Sequence, residues 1–220
     1  ALCLAEGRCA GLGGRRLRRA ERDQRLATVA AEIRACTQCR LSESRRNAVP
    51  GEGPLDADML WLGEAPGAEE DEQGRPFVGA SGRTLRSAME AAGLDRMAAY
   101  ITNVVKCRPP KNRPPRAVEV ASCTSVFRSW QVEVVAAGGM VVLGASAGGA
   151  ILAGKLKLTE DHGTWRRDYD LTDADLPVFV TYHPAAALRS ARWRDELRAD
   201  MRHLSETWAR HIRMQAARKR

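Results

Sequence analysis

Apolar residues along this chain switch between two periodicities, and the switching lays out an architecture. In QRLATVAAEIRACTQC, Leu26, Val29 and Ile33 fall at helical spacing and the run stops at Cys36, which predicts a helix with one buried face. ADMLWLG, residues 57–63, is a short unbroken apolar run and reads as a buried strand. Leu85, Ala88, Met89 and Ala92 return to helical spacing, with Ser81 as the expected N-cap and Gly93 as the expected stop. AYITNVV (99–105), GMVVLG (139–144) and PVFVTY (177–182) supply three more strands, and a helix is expected over 115–136. Polar residues 159–176 suggest a hairpin. Trp193, Leu197, Met201, Leu204, Trp208 and Ile212 then form the apolar stripe of a long final helix.

Strands alternating with helices imply an α/β fold, a parallel sheet covered on both faces. Ligands of such sheets bind outside the carboxyl ends of the strands. Three segments are placed there: the loop after the first strand, Asn103 at the end of the second, and His183 after the fourth. KCRPPKNRPP, with four prolines, cannot be regular structure. One domain is expected over 24–214, between a basic arm without periodicity (1–23) and a basic tail (215–220). No apolar run approaches the ~20 residues of a membrane helix, and the order of charges at the start is wrong for a secretory signal. A cytoplasmic monomer is the expectation.

Charge changes the picture next. The chain has 35 Lys+Arg against 27 Asp+Glu, a net +8, which suits a polyanionic partner, most commonly nucleic acid. An arginine-rich composition alone would give the same balance. Loop 106–113 and segment 189–194 are the basic stretches best placed to meet phosphates. Against this background GEAPGAEEDEQGRPFVGASG gathers five carboxylates (Glu64, Glu69, Glu70, Asp71, Glu72) within nine residues, among glycines. It reads as a loop rather than a helix face, and is either simply solvated or put to use.

Of six cysteines, Cys3 and Cys9 lie in the arm. Cys36 and Cys39 form a Cys-x2-Cys pair, followed after 67 residues by Cys107 and after 15 more by Cys123. Four thiolates fit tetrahedral zinc or an iron–sulfur cluster, and four unrelated buried cysteines would show the same spacing.

Taken together, GEAPGAEEDEQGRPFVGASG, ITNVVKCRPPKNRPP and YHPAAALR, with the four cysteines in register, resemble the iron–sulfur (family 4) uracil-DNA glycosylases over roughly residues 24–210. The resemblance implies a three-layer α/β/α sandwich on a four-stranded parallel sheet, and a [4Fe–4S] cluster on Cys36, Cys39, Cys107 and Cys123 that is structural rather than catalytic. It implies a DNA-repair enzyme that flips uracil out of uracil-containing DNA and hydrolyses its N-glycosidic bond. Glu64 would orient the attacking water and stabilise the sugar cation, and His183 would donate to uracil O2. Glu70 would wall the pocket near C5, Phe77 would stack on the base, and Asn103 would read its pairing edge. Backbone of the turn Gly63, Ala65 and Gly67 would offer further donors. Three alanines follow the final His-Pro where family members often carry Ser and a bulkier residue, so Leu188, with Arg189 beside it, is the candidate wedge. The competing readings are a non-catalytic, metal-stabilised nucleic-acid binder and a relative that crosslinks to abasic sites; the latter's nucleophilic His has no counterpart in KCRPPKNRPP.

Overall fold

A computed structural model describes residues 18–126, 132–135, 137–152, 156–167 and 176–218. Most of the basic arm, including Cys3 and Cys9, lies outside the described residues, as do residues 168–175 of the polar excursion and the last two residues of the tail.

Four strands, β1 (Met59–Gly63), β2 (Ala99–Asn103), β3 (Gly139–Leu143) and β5 (Val178–Thr181), run parallel in the order β2-β1-β3-β5. A fifth, β4 (Thr164–Arg166), corrects the expected four: it pairs antiparallel with β5 at one edge. The parallel strands are buried throughout, and successive side chains feed opposite cores. Leu60, Leu62, Tyr100, Met140, Val142, Val178 and Val180 face one core; Met59, Trp61, Ile101, Val141, Leu143 and Phe179 face the other. That even division explains why each strand reads as an unbroken apolar run.

On the first face lie α1 (Arg19–Ala35), α4 (Ala117–Val126), α5 (Val132–Val135) and α6 (Ala145–Ile151). Helix α1 contributes Val29 and Ile33 and ends where expected, with Cys36 as its C-cap. It begins earlier than expected, at Arg19, inside the segment read as an arm. The reason is tertiary: Arg22 donates to the carbonyls of Leu55 (2.6 Å), Val134 (2.8 Å) and Val135 (3.0 Å) and pairs with Asp56. The single helix expected over 115–136 is described as two pieces, α4 and α5, and residues 127–131 and 136 lie outside the description.

On the second face lie α3 (Ala80–Ala91), α8 (Pro184–Arg189) and α9 (Ala191–Arg218). Leu197, Met201, Leu204 and Trp208 of α9 are buried as the stripe required, while the side chain of Ile212 is outside the description. Trp208 lies across the start of β3, where a Cβ on Gly138 would come within 2.9 Å of its ring. The N-cap of α3 is Gly79, two residues before the expected Ser81. Two short helices complete the chain: α2 (Ala68–Gln73), after β1, and α7 (Leu158–Asp161), before β4. At the open edge, the backbone pairing of β2 among the described residues is a single bridge: Glu52 and Ile101 exchange backbone bonds of 3.0 and 2.8 Å. Among the described residues no helix is long and apolar enough to cross a membrane.

Candidate active site

Beyond their last paired residues, Gly63 and Asn103, β1 and β2 stay tied: Val104 N–H donates to Gly63 O (2.9 Å) and Val105 N–H to Glu64 O (3.0 Å). The two loops therefore leave the sheet as a unit. His183 leaves β5 two residues past Thr181 and caps α8, whose first residue is Pro184. Between these ends opens a cavity of about 620 Å3. Glu64, Ala65, Gly67, Glu70, Phe77, Asn103, His183 and Arg189 all line it, so residues spread over some 120 positions of sequence meet in one place.

Asn103 sits at the bottom, 1% exposed, and its Oδ1 has no hydrogen-bond partner among the described residues. A buried, unpaired acceptor costs about 1–3 kcal/mol; it is a site prepared for a donor from outside. Gly63 lets the parts come together, because a Cβ there would strike both Asn103 Oδ1 and the Phe77 ring. Phe77 is 7% exposed and has φ 53°, in the left-handed region that a bulky residue rarely adopts. That backbone turns its ring over the cavity, 5.9 Å from the His183 ring.

His183 accepts the Ala185 N–H at Nδ1 (3.1 Å). The neutral ring therefore carries its proton on Nε2. Burial, helped by the nearby Arg189 charge, holds the imidazole down at about 4, so the ring is neutral at physiological pH and Nε2–H is a donor without charge. Glu64 is half-buried, and its carboxylate has no hydrogen-bond or ion-pair partner among the described residues.

The remaining carboxylates behave differently, and they correct one expectation. The acidic run does not form an open loop; residues 68–73 are the helix α2, with Gly67 as N-cap and Gly74 ending it at φ 68°. Glu70 is buried and spans two turns, accepting Gly67 N–H (3.0 Å) and Gly79 N–H (2.8 Å). The amide of Gly67 is thereby consumed and is no free donor, while the Ala65 N–H has no partner among the described residues. Asp71 accepts the backbone N–H groups of Arg46 and Asn47; Glu69 and Glu72 pair with Arg83 and Arg46.

Of the wedge pair, Arg189 lines the cavity, whereas Leu188 points outward, 49% exposed. The opposite wall comes from the loop expected to meet phosphates, whose first basic residue, Lys106, is instead buried. Pro109, Asn112, Arg113 and Pro114 form it, held by Arg113 bidentate to Glu119 of α4 (2.6 and 2.8 Å). The four prolines announce a rigid loop but not where it packs.

The chain matches the uracil DNA glycosylase superfamily over residues 50–210. It is 38% identical to the type-4 uracil-DNA glycosylase of Sulfurisphaera tokodaii, an alignment covering 82% of this chain and 84% of the relative. The type-4 enzyme of Archaeoglobus fulgidus is 36% identical, covering 82% and 92%. The type-5 uracil-DNA glycosylase of Pyrobaculum aerophilum is 34% identical over less, 62% and 65%. The chain belongs to the type-4 uracil-DNA glycosylases.

In this type-4 chain the cysteines form a second centre. Cys36, Cys39, Cys107 and Cys123 line one small cavity beneath the end of α1, with Arg45 and Lys106. Arg45 donates to Cys107 Sγ (2.9 Å) and to Arg34 O (2.9 Å). Burial pushes the Cys107 thiol up, against the hydrogen bond from Arg45, and pushes Cys123 to about 11. Lys106 is buried, donating to Thr102 Oγ1 and Asn103 O, both at 2.6 Å; burial lowers it to about 7 although the neighbouring thiols oppose the shift. Among the described residues no three His, Cys, Asp or Glu side chains form a group for a metal ion. Neither Arg45 nor Lys106 was singled out beside the cysteines from sequence.

Proposed function

We propose that the cavity receives a uracil flipped out of DNA and that the residues around it hydrolyse the N-glycosidic bond, leaving an abasic site. The observation that carries this reading is the buried, unpartnered Oδ1 of Asn103 at the floor of a cavity walled by Phe77 and His183. Uracil offers an N3–H donor beside an O4 acceptor. An Asn side chain meets both, Oδ1 accepting and Nδ2 donating.

With the base stacked on Phe77, His183 Nε2–H points to O2 and strengthens its bond as negative charge collects on the departing pyrimidine. A neutral donor suits that task, and burial keeps it neutral. The N1–C1′ bond breaks with its electron pair passing to the uracil ring. Glu64 supports the cationic sugar and directs a water oxygen to C1′, taking up the proton that water releases. Glu70 fixes the wall near uracil C5 by holding the turns at Gly67 and Gly79 together, and the Ala65 N–H supplies a backbone donor to the base. Phosphates on either side would meet the basic surface, since such contacts carry most of the affinity.

Cys36, Cys39, Cys107 and Cys123 would hold a [4Fe–4S] cluster, which would serve here as a clamp between distant segments. Four cysteines lining one cavity supply the thiolate set such a cluster takes, a set that also suits zinc. Iron and zinc content of protein purified without air separates the two.

The function is tested by incubating the protein with a uracil-containing oligonucleotide, cleaving abasic sites with alkali and looking for strand scission. Scission that depends on uracil is expected. Binding without scission would leave a metal-stabilised binder, and an adduct that survives denaturation would mark the crosslinking relative.

A further inference from the structure

Helices α3 and α9 leave a second hollow between them, of about 280 Å3, outside the cavity just described. Arg83, Arg194 and Arg198 line it together with Thr84 and Ser87, over buried Leu197, and no carboxylate is among its walls. The side chains of Arg194 and Arg198 are exposed and make no hydrogen bond or ion pair with a described residue. Arg83 is shared with Glu69 across an exposed pair of 3.2 Å, a contact too weakly held to withhold it from a stronger anion.

Its position is as informative as its composition. Helix α3 enters the base cavity with Ala80 and Ser81, and α8 with Arg189. The hollow begins about half a turn further along α3, at Arg83, and on the first turns of α9, which follows α8 almost directly. At about 1.5 Å rise per residue, Arg83 to Ser87 lies roughly 3–9 Å beyond Ser81. Successive phosphates of one strand advance about 3.4 Å along a duplex axis. We propose that this hollow is a phosphodiester clamp, gripping the strand one to three nucleotides from the flipped base, with Arg194 and Arg198 on the phosphate oxygens and the Thr84 and Ser87 hydroxyls beside them.

The proposal rests on the reading that DNA is the substrate, but its test does not depend on base release. The affinity of the full chain for a uracil-free duplex is measured across a salt series, for wild type and Arg194→Gln/Arg198→Gln. Each phosphate contact contributes about 0.9 to the slope of log affinity against log salt. The double variant is expected to lower that slope by roughly 1–2, and Ser87→Glu, at an exposed position, to weaken binding in the same direction. On a uracil substrate the loss falls on affinity rather than on the single-turnover rate constant at saturating protein. An unchanged slope in both variants overturns the clamp. Displacement of DNA by inorganic phosphate at matched ionic strength in wild type but not in the double variant supports the clamp, because the free anion then competes with the strand for the same arginines. If no uracil is released but the slope still falls, the glycosylase reading fails and the clamp stands.

Discussion

His183 owes its chemistry to one backbone bond and to burial. The Ala185 N–H fixes the tautomer, and the low pKa, about 4 against an ordinary 6.5, has a consequence of definite sign. As pH falls through 6.5 the unfolded chain takes up the proton first, so this group's share of stability is present above 6.5 and drains away toward 4. The ring itself stays neutral down to about pH 5. Side-chain nitrogen NMR is expected to show no imidazolium at position 183 across that range, and titration near 6.5 would remove the argument for a neutral donor. Replacing His183 with Ala should slow single-turnover excision roughly 10²–10³-fold, the scale of one lost oxyanion donor, with DNA affinity little changed; equal losses in both would make His183 a DNA contact. Asn103 has the complementary part. Cytosine presents an acceptor at N3 and a donor at N4, so the fixed amide meets like with like, and each mismatch leaves a buried group unpaired at about 1–3 kcal/mol. Asn103→Asp is expected to lose most uracil excision and gain weak cytosine excision, clearest in mispaired or single-stranded oligonucleotides. Full uracil activity in that variant would mean the amide does not read the base.

At the scale of elements, loop 106–116 joins the two centres. It leaves β2, carries Cys107, walls the cavity with Pro109 and Arg113, and is pinned to α4 through Glu119, which also accepts the Arg116 N–H at 2.7 Å. The Arg113 hydrogen bonds hold the Glu119 carboxyl at about 2 rather than 4.5. That contribution is complete above 4.5 and is lost as pH falls toward 2. Glu119→Gln should lower the melting temperature at neutral pH and narrow its gap to wild type as pH falls through this window; a gap that widens would show that the pair does not hold the loop. The sequence showed such elements unevenly, for physical reasons. The four parallel strands were legible because burial on both faces makes them continuous apolar runs. Strand β4 was legible only as the hairpin suggested over 159–176, and its pairing with β5 was not, since three partly exposed residues around Trp165 carry no period. The acidic segment hid a helix because its glycines were read as loop, whereas Gly67 and Gly74 in fact cap it. Glu64, Asn103 and His183 were visible because strand ends in a parallel sheet share one side. The proline-rich wall was not, because its place depends on Arg113 meeting Glu119, a pairing that no local pattern announces.

Across the whole molecule, the four cysteines draw together the end of α1, the loop after β2 and α4. Ligation at such a centre adds its binding free energy to folding. Cys107→Ala or Cys123→Ala is therefore expected to lose bound iron and lower the melting temperature well before it alters the chemistry of whatever fraction remains folded. Wild-type stability in either variant would reduce these thiols to ordinary packing.

The single bridge between Glu52 and Ile101 matters most where molecules crowd. A parallel sheet that ends in an uncovered strand offers its free amides and carbonyls to any other chain. Here Pro50 O accepts the Thr102 hydroxyl at 2.8 Å, and Glu52 pairs with one residue of β2 and stops. Gly51 and Gly53, at φ 119° and 144°, bend the segment to either side and let its backbone lie against the strand. Arg75 and Arg96 clasp the Glu52 carboxylate from outside. The edge is thus occupied by a neighbour too short to be extended, topped with charge. A chain guarded in this way is expected to stay dispersed at concentrations where a bare edge would recruit a second sheet and begin a fibre.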